Sequence, residues 1–87
     1  MYLITGVAGF VGSKTAMLSL EKGVKVVGID NLNNYYDVKI KKNRLEELKK
    51  FDDFVFEKGD IEDKNFLNNI FEKYVAFKAV INLAARA

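Results

Sequence analysis

What most constrains this chain is a repeated switch of hydrophobic period, from short apolar runs to helical spacing and back. Runs at 2–5, 24–29 (Val24, Val26, Val27, Ile29), 53–57 (Phe54-Val55-Phe56) and 78–83 (Ala79-Val80-Ile81, Leu83) have strand character. The first, second and fourth show little polar alternation, which predicts strands covered on both faces. Between them, Val11, Thr15, Leu18 and Leu20 predict one apolar helix stripe, with Gly23 placed to close it. Val38, Leu45 and Leu48 recur at helical spacing among Lys39, Lys41, Lys42, Arg44, Glu46, Glu47, Lys49 and Lys50, a charge run that reads as a solvated face. Phe66, Leu67, Ile70, Phe71 and Tyr74 form a third stripe behind Asp63, the expected N-cap. The order β-α-β-α-β-α-β, with crossovers of this length, predicts an α/β fold: a parallel sheet with helices on both faces.

Length and composition narrow the function. Eighty-seven residues make one small domain, 1–87. At this size folding buries only about 60% of the unfolded chain's surface. The chain has no Cys and no His, which argues against a disulfide scaffold, a thiolate or histidine metal site and a histidine base. Fourteen basic and 12 acidic residues leave a net charge of +2, too small an excess to point to nucleic acid or an anionic membrane. No apolar run approaches the roughly 18 residues of a bilayer span, and Met1-Tyr2-Leu3-Ile4-Thr5-Gly6 does not look like a leader peptide. A cytoplasmic protein is expected.

The richest segment is Thr5-Gly6-Val7-Ala8-Gly9-Phe10-Val11-Gly12, a G-x-x-G-x-x-G loop between the first strand and the first helix. Gly6 is expected to turn tightly, Gly9 to let backbone approach a pyrophosphate, and Gly12 to let the helix pack against the strand. The N–H groups around Phe10 and Val11 then face an anion at the helix N-terminus. Asp30 ends the second strand about twenty residues on, where a carboxylate receives ribose hydroxyls and repels a 2′-phosphate. Asn31 follows it rather than Arg, so nothing nearby in sequence neutralises such a phosphate, and NAD is expected over NADP. Asp30 leading into Asn31-Leu32-Asn33-Asn34 is also what a plain turn looks like. Ligands of open α/β sheets lie over the carboxyl ends of strands. Asp60 and Ile61 after the third strand, and Leu83, Ala84 and Ala85 after the fourth, are therefore further candidates. Asp60 can equally be a turn cap, and the alanines core.

The loop, together with Val27-Gly28-Ile29-Asp30-Asn31-Leu32-Asn33, Gly59-Asp60-Ile61 and Asn82-Leu83-Ala84-Ala85, resembles the extended short-chain dehydrogenase/reductases, the NAD-dependent epimerase/dehydratase family. The stretch Asp30-Asn31-Leu32-Asn33-Asn34-Tyr35-Tyr36-Asp37 is similar to its UDP-glucuronate 4-epimerase branch. Lys14, Asn82 and Arg86 depart from the common pattern. The resemblance implies a partial Rossmann fold with strand order 3-2-1-4. It implies bound NAD that accepts hydride from a nucleotide-sugar C4 and returns it to the other face. It also implies a Ser/Thr and a Tyr-x-x-x-Lys pair carried after the fourth strand. Tyr35-x-x-x-Lys39 and Tyr74-x-x-x-Lys78 have that spacing but the wrong position, so no catalytic residue is expected among the 87. The expected reading is the cofactor-binding part of an epimerase, truncated and without turnover, whose UDP-sugar would bind only with the remaining portion. A non-catalytic nucleotide-binding module, and a fragment that pairs or self-associates through an open edge at 79–83, are the alternatives.

Overall fold

The computed structural model describes residues 1–32 and 38–84. Asn33, Ala85, Arg86 and Tyr35, which carried readings above, lie outside the described residues. The elements are β1 (Tyr2–Thr5), α1 (Phe10–Glu21), β2 (Val26–Asp30), α2 (Val38–Leu48), β3 (Phe54–Lys58), α3 (Lys64–Lys73) and β4 (Ala79–Asn82). The sheet is parallel, as the alternating periods predict, and its order is β3-β2-β1-β4, as the resemblance implies. Pleating sends Ile4 and Val26 to one face, under Ala16 and Leu20 of α1 and Leu45 and Leu48 of α2. Leu3, Val27 and Ile29 face the other way, under Ile70 of α3.

Three local expectations need correcting. The first is where β2 begins. Val24 is not in the strand, because its N–H closes α1: it donates to the Ser19 carbonyl at 3.0 Å while Gly23 N–H donates to Leu20 at 3.0 Å. This is a Schellman pair, with Gly23 at φ +83° as the left-handed residue. The second is the buried face of α1. Of the expected stripe only Leu20 is buried, Thr15 is half-buried, and Val11 and Leu18 are exposed; Gly12, Ala16 and Ser19 complete the buried face. Small residues at 12, 16 and 19 let the helix lie close to the chain beneath it, and packing by close approach leaves no hydropathy signal. The third is β4, which is covered on one face only. Leu3 is 1% exposed, but its register partner Val80 is 53% exposed, because α3 seats Ile70 over β1 and β2 and leaves β4 uncovered.

Asp63 caps α3 as expected, accepting N–H bonds from Asn65 and Phe66 at 3.0 and 3.2 Å. The helix's far end is tied to β3 through Glu57, whose Oε2 accepts from the Tyr74 hydroxyl at 2.5 Å and from Lys73 Nζ at 2.9 Å. The Tyr74 bond holds the Glu57 carboxyl below the usual carboxylate range against the opposing effect of burial. Burial, and then Glu57, push the Tyr74 phenol up, and Glu57 raises the Lys73 ammonium. A depressed carboxylate stabilises the fold above its unfolded pKa of about 4.3 and loses that contribution as pH falls through the lowered native value. The raised groups contribute below about pH 10 and lose it as pH rises through their native values. Glu57→Gln is therefore expected to melt below the parent at about pH 7, with the gap closing toward about pH 3. Thermal melts across that range check it; a gap that stays constant refutes the assignment.

Candidate cofactor site

The site lies at the carboxyl ends of β1, β2 and β4, where the strand order reverses. Thr5, the last residue of β1, fastens two of these ends. Its hydroxyl donates to Asn82 Oδ1 at 2.5 Å and accepts from Leu83 and Ala84 N–H at 3.1 and 3.3 Å, which fills a hydroxyl's capacity. Gly6 follows at φ +70°. A Cβ there would stand 2.8 Å from the Leu83 carbonyl and the Ala84 nitrogen, so the turn and the end of β4 share one space only glycine leaves open. Gly12 also works by close approach, although its neighbour is not the strand. A Cβ on Gly12 would overlap the Gly6 carbonyl oxygen and come within 3.1 Å of Val7 Cα, so α1 rests on the loop itself.

Helix α1 opens at Gly9, whose backbone is extended and which offers no side-chain cap. Phe10 and Val11 in the first turn are 65% and 58% exposed. The first-turn N–H groups of a helix have no partner within it, and here no side chain caps them, which suits an anion. Asp30 stands beside this loop, 6% exposed. Its Oδ2 accepts from the buried Ala8 N–H at 3.0 Å, and its Oδ1 from Leu32 N–H at 2.8 Å. The Leu32 bond is an Asx turn that holds Leu32 at φ +55°.

Helix α2 supplies two residues that the sequence reading left in solvent. Lys41 is 8% exposed and its Nζ lies 3.4 Å from Asp30 Oδ1. Arg44 is half-buried, donates to the Ala8 carbonyl at 3.2 Å, and sets its guanidinium 5.8 Å from the Phe10 ring centroid. Lys14 lies at the same distance from that ring. The charge run is thus not wholly a solvated face. The missed signal is spacing: Lys41, Leu45 and Leu48 stand at i, i+4 and i+7, so Lys41 belongs to the apolar stripe.

The remaining candidates fall as follows. Asn31 is exposed at the end of β2. Asp60 is exposed after β3, and its Oδ1 accepts from Glu62 N–H at 2.9 Å, the turn that was the alternative to a cofactor contact. Ile61 packs half-buried against the α3-side core, and Leu83 against the opposite core. Ala84 is half-buried and held by Thr5. The Tyr74 hydroxyl is held by Glu57 of β3, while the Lys78 N–H donates to the Met1 carbonyl at 2.9 Å, just before β1 begins. Lys78 is thus at the end of the sheet opposite the glycine loop.

A parallel sheet of this order, a glycine loop feeding α1 and an acid ending β2 define a nucleotide-binding half of the Rossmann type. The chain matches the family described as GDP-mannose 4,6 dehydratase over residues 3–87 and belongs to that family, within the NAD-dependent epimerases and dehydratases. It is 51% identical over 86 residues to UDP-glucuronate 4-epimerase of Thermodesulfobacterium geofontis, covering 99% of this chain and 26% of that protein. To UDP-glucuronate 4-epimerase 1 of Arabidopsis thaliana it is 45% identical over 85 residues, 98% of this chain and 19% of that one. The crystal structure of UDP-glucuronic acid 4-epimerase from Bacillus cereus in complex with NAD superposes with a TM-score of 0.84 at 29% identity, over 99% of this chain and 27% of that one. The Bordetella bronchiseptica enzyme WbmH in complex with NAD⁺ gives 0.78 at 35%, over 99% and 26%. The chain therefore spans about a quarter or less of the length of these curated relatives.

Proposed function

We propose that the chain supplies the NAD-binding part of a nucleotide-sugar epimerase of the UDP-glucuronate 4-epimerase kind. One contact carries the reading: the Ala8 N–H, inside the glycine loop, is bonded to Asp30 Oδ2 at 3.0 Å. It ties the loop suited to a diphosphate to the acid suited to a ribose, at the spacing a dinucleotide needs. Among the described residues three protein donors fill three of the roughly four acceptor sites of the Asp30 carboxylate, which supports a place there for a hydroxyl. In this reading Gly6, Gly9, Phe10, Val11 and Gly12 surround the diphosphate. Asp30, Asn31 and Asn33 hold the adenosine ribose, Asp60 and Ile61 the adenine, and Leu83, Ala84 and Ala85 the middle of the cofactor.

When bound, NAD supplies reversible hydride transfer at a sugar carbon. The chain's own residues orient it and hold its charge. The relatives' names favour UDP-glucuronate as the sugar nucleotide of the whole enzyme. These 87 residues alone are proposed to bind NAD without turnover. Strand β4, paired only to β1 among the described residues and exposing Val80, supports self-association of the isolated chain. A cytoplasmic location accords with this cofactor. Among the described residues no helix is long and apolar enough to cross a membrane.

The test is calorimetric titration of the purified chain with NAD, alongside sedimentation and incubation with UDP-glucuronate. Saturable NAD binding is expected, together with concentration-dependent mass and no epimer. Absence of binding at about 1 mM NAD, weaker than about −4 kcal/mol, refutes the cofactor reading. Epimer formation refutes the lack of turnover, and a sharp monomer refutes the self-association.

A further inference from the structure

We infer that cofactor choice at this site is made by the Asp30–Lys41 pair, with Lys41 as the residue that determines how a 2′-phosphate on the adenosine ribose is received. The inference rests on the NAD reading above and deepens it. An acid at the end of β2 with no arginine after it is expected to exclude NADP by repulsion. Here the carboxylate does not act alone. Lys41 Nζ lies 3.4 Å from Asp30 Oδ1, and the two side chains are 10% and 4% exposed. At that depth a single opposite charge interacts far more strongly than it would in water.

Lys41 is held there by its helix. Leu45 and Leu48, one and two turns on, are buried at 3% and 1% exposure, so Lys41 sits on the face of α2 that this apolar stripe keeps against the sheet. The carboxylate is fixed from its other sides by Ala8 and Leu32 N–H. A hydroxyl bonded to this carboxylate therefore stands next to Lys41 as well, and a phosphate on that hydroxyl meets a pair that sums to zero. Arg44, bonded to the Ala8 carbonyl, adds a second positive charge at the same loop. Lys41 offsets the repulsion from the Asp30 carboxylate, and it becomes the counter-charge of the phosphate when Asp30 is replaced by Asn.

The experiment titrates the full chain with NAD and with NADP and reads the ratio Kd(NADP)/Kd(NAD). Four proteins suffice: the parent, Lys41→Met, Asp30→Asn and the double variant. Lys41→Met is expected to raise the ratio about tenfold or more, and Asp30→Asn to lower it by a similar factor. In the Asp30→Asn background, Lys41→Met should raise it again by about tenfold. A ratio within one protein is indifferent to the fraction folded, and the double variant leaves no unpaired buried charge. Should either single variant fail to fold, the comparison is made between two double variants that both carry Asp30→Asn. The Asp30→Asn, Lys41→Arg protein, which keeps the positive charge, is expected to show a ratio about tenfold below that of the Asp30→Asn, Lys41→Met protein, and equal ratios overturn the role of Lys41. A ratio that ignores Lys41→Met in both backgrounds, while NAD still binds, overturns the role of Lys41 alone. A parent that binds neither dinucleotide overturns the NAD reading and this inference with it.

Discussion

Asp30→Ala is expected to melt at least about 12 °C below the parent and to lose NAD binding together with stability. The usual reason for altering the acid at the end of β2 is to remove a ligand contact. In this chain the same carboxylate is a structural node. It accepts the N–H of fully buried Ala8 and of Leu32, and it faces an ammonium that is itself buried. Removing one partner of a buried pair strands the other, at about 3–5 kcal/mol. A chain of this length holds only about 4–13 kcal/mol in total. Saturating NAD at about a hundred times its Kd adds about 2.7 kcal/mol to the parent, and Asp30→Ala is expected to forfeit that too. Thermal melts with and without NAD measure both losses. An Asp30→Ala protein that melts within about 2 °C of the parent would show that the pair carries no stability, and the node would be wrong.

That double role was only half visible in the residues. The parallel sheet with helices on both faces could be read because alternation of period, with crossovers of ordinary length, leaves few topologies open, whereas the strand order 3-2-1-4 came with the family resemblance. The loop could be read because a glycine needed for backbone approach cannot be replaced by another residue, so Gly6 and Gly12 mark geometry directly. Lys41 was missed because hydropathy scores a lysine by its solvation in water. What keeps it buried is a carboxylate eleven residues away, reached only once α2 lies across β2. The buried face of α1 was missed for a related reason: Gly12, Ala16 and Ser19 pack by being small. Glu57 was missed because its partners Lys73 and Tyr74 come from the far end of α3, 16 and 17 residues on. Each of the three is settled by tertiary packing, and only Lys41 left a local trace, its i, i+4, i+7 spacing with Leu45 and Leu48; Lys41 and the face of α1 bear on the candidate site.

Gly12→Ala separates close packing from intrinsic helix preference, because the two predict opposite signs. Gly12 sits inside α1, where alanine in place of glycine stabilises an unencumbered helix by about 1 kcal/mol. Here the added methyl would overlap the Gly6 carbonyl oxygen and crowd Val7 Cα, both main-chain atoms that cannot rotate aside as a side chain does. Either the loop opens or the N-terminus of α1 lifts, at about 3 kcal/mol after the helix gain is set against it. Lifting that end also moves the first-turn N–H groups away from the Ala8–Asp30 contact, so NAD affinity is expected to fall with stability. Gly23→Ala is the companion variant. No atom lies within 4 Å of the Cβ it would add, but its φ of +83° costs a side chain about 1–2 kcal/mol at the opposite end of the same helix. It should lower the melting temperature and leave NAD affinity unchanged once folded. If Gly12→Ala instead raised the melting temperature, or Gly23→Ala weakened NAD as much as Gly12→Ala did, the loop would not be seated on α1 in the way that makes it a diphosphate cradle.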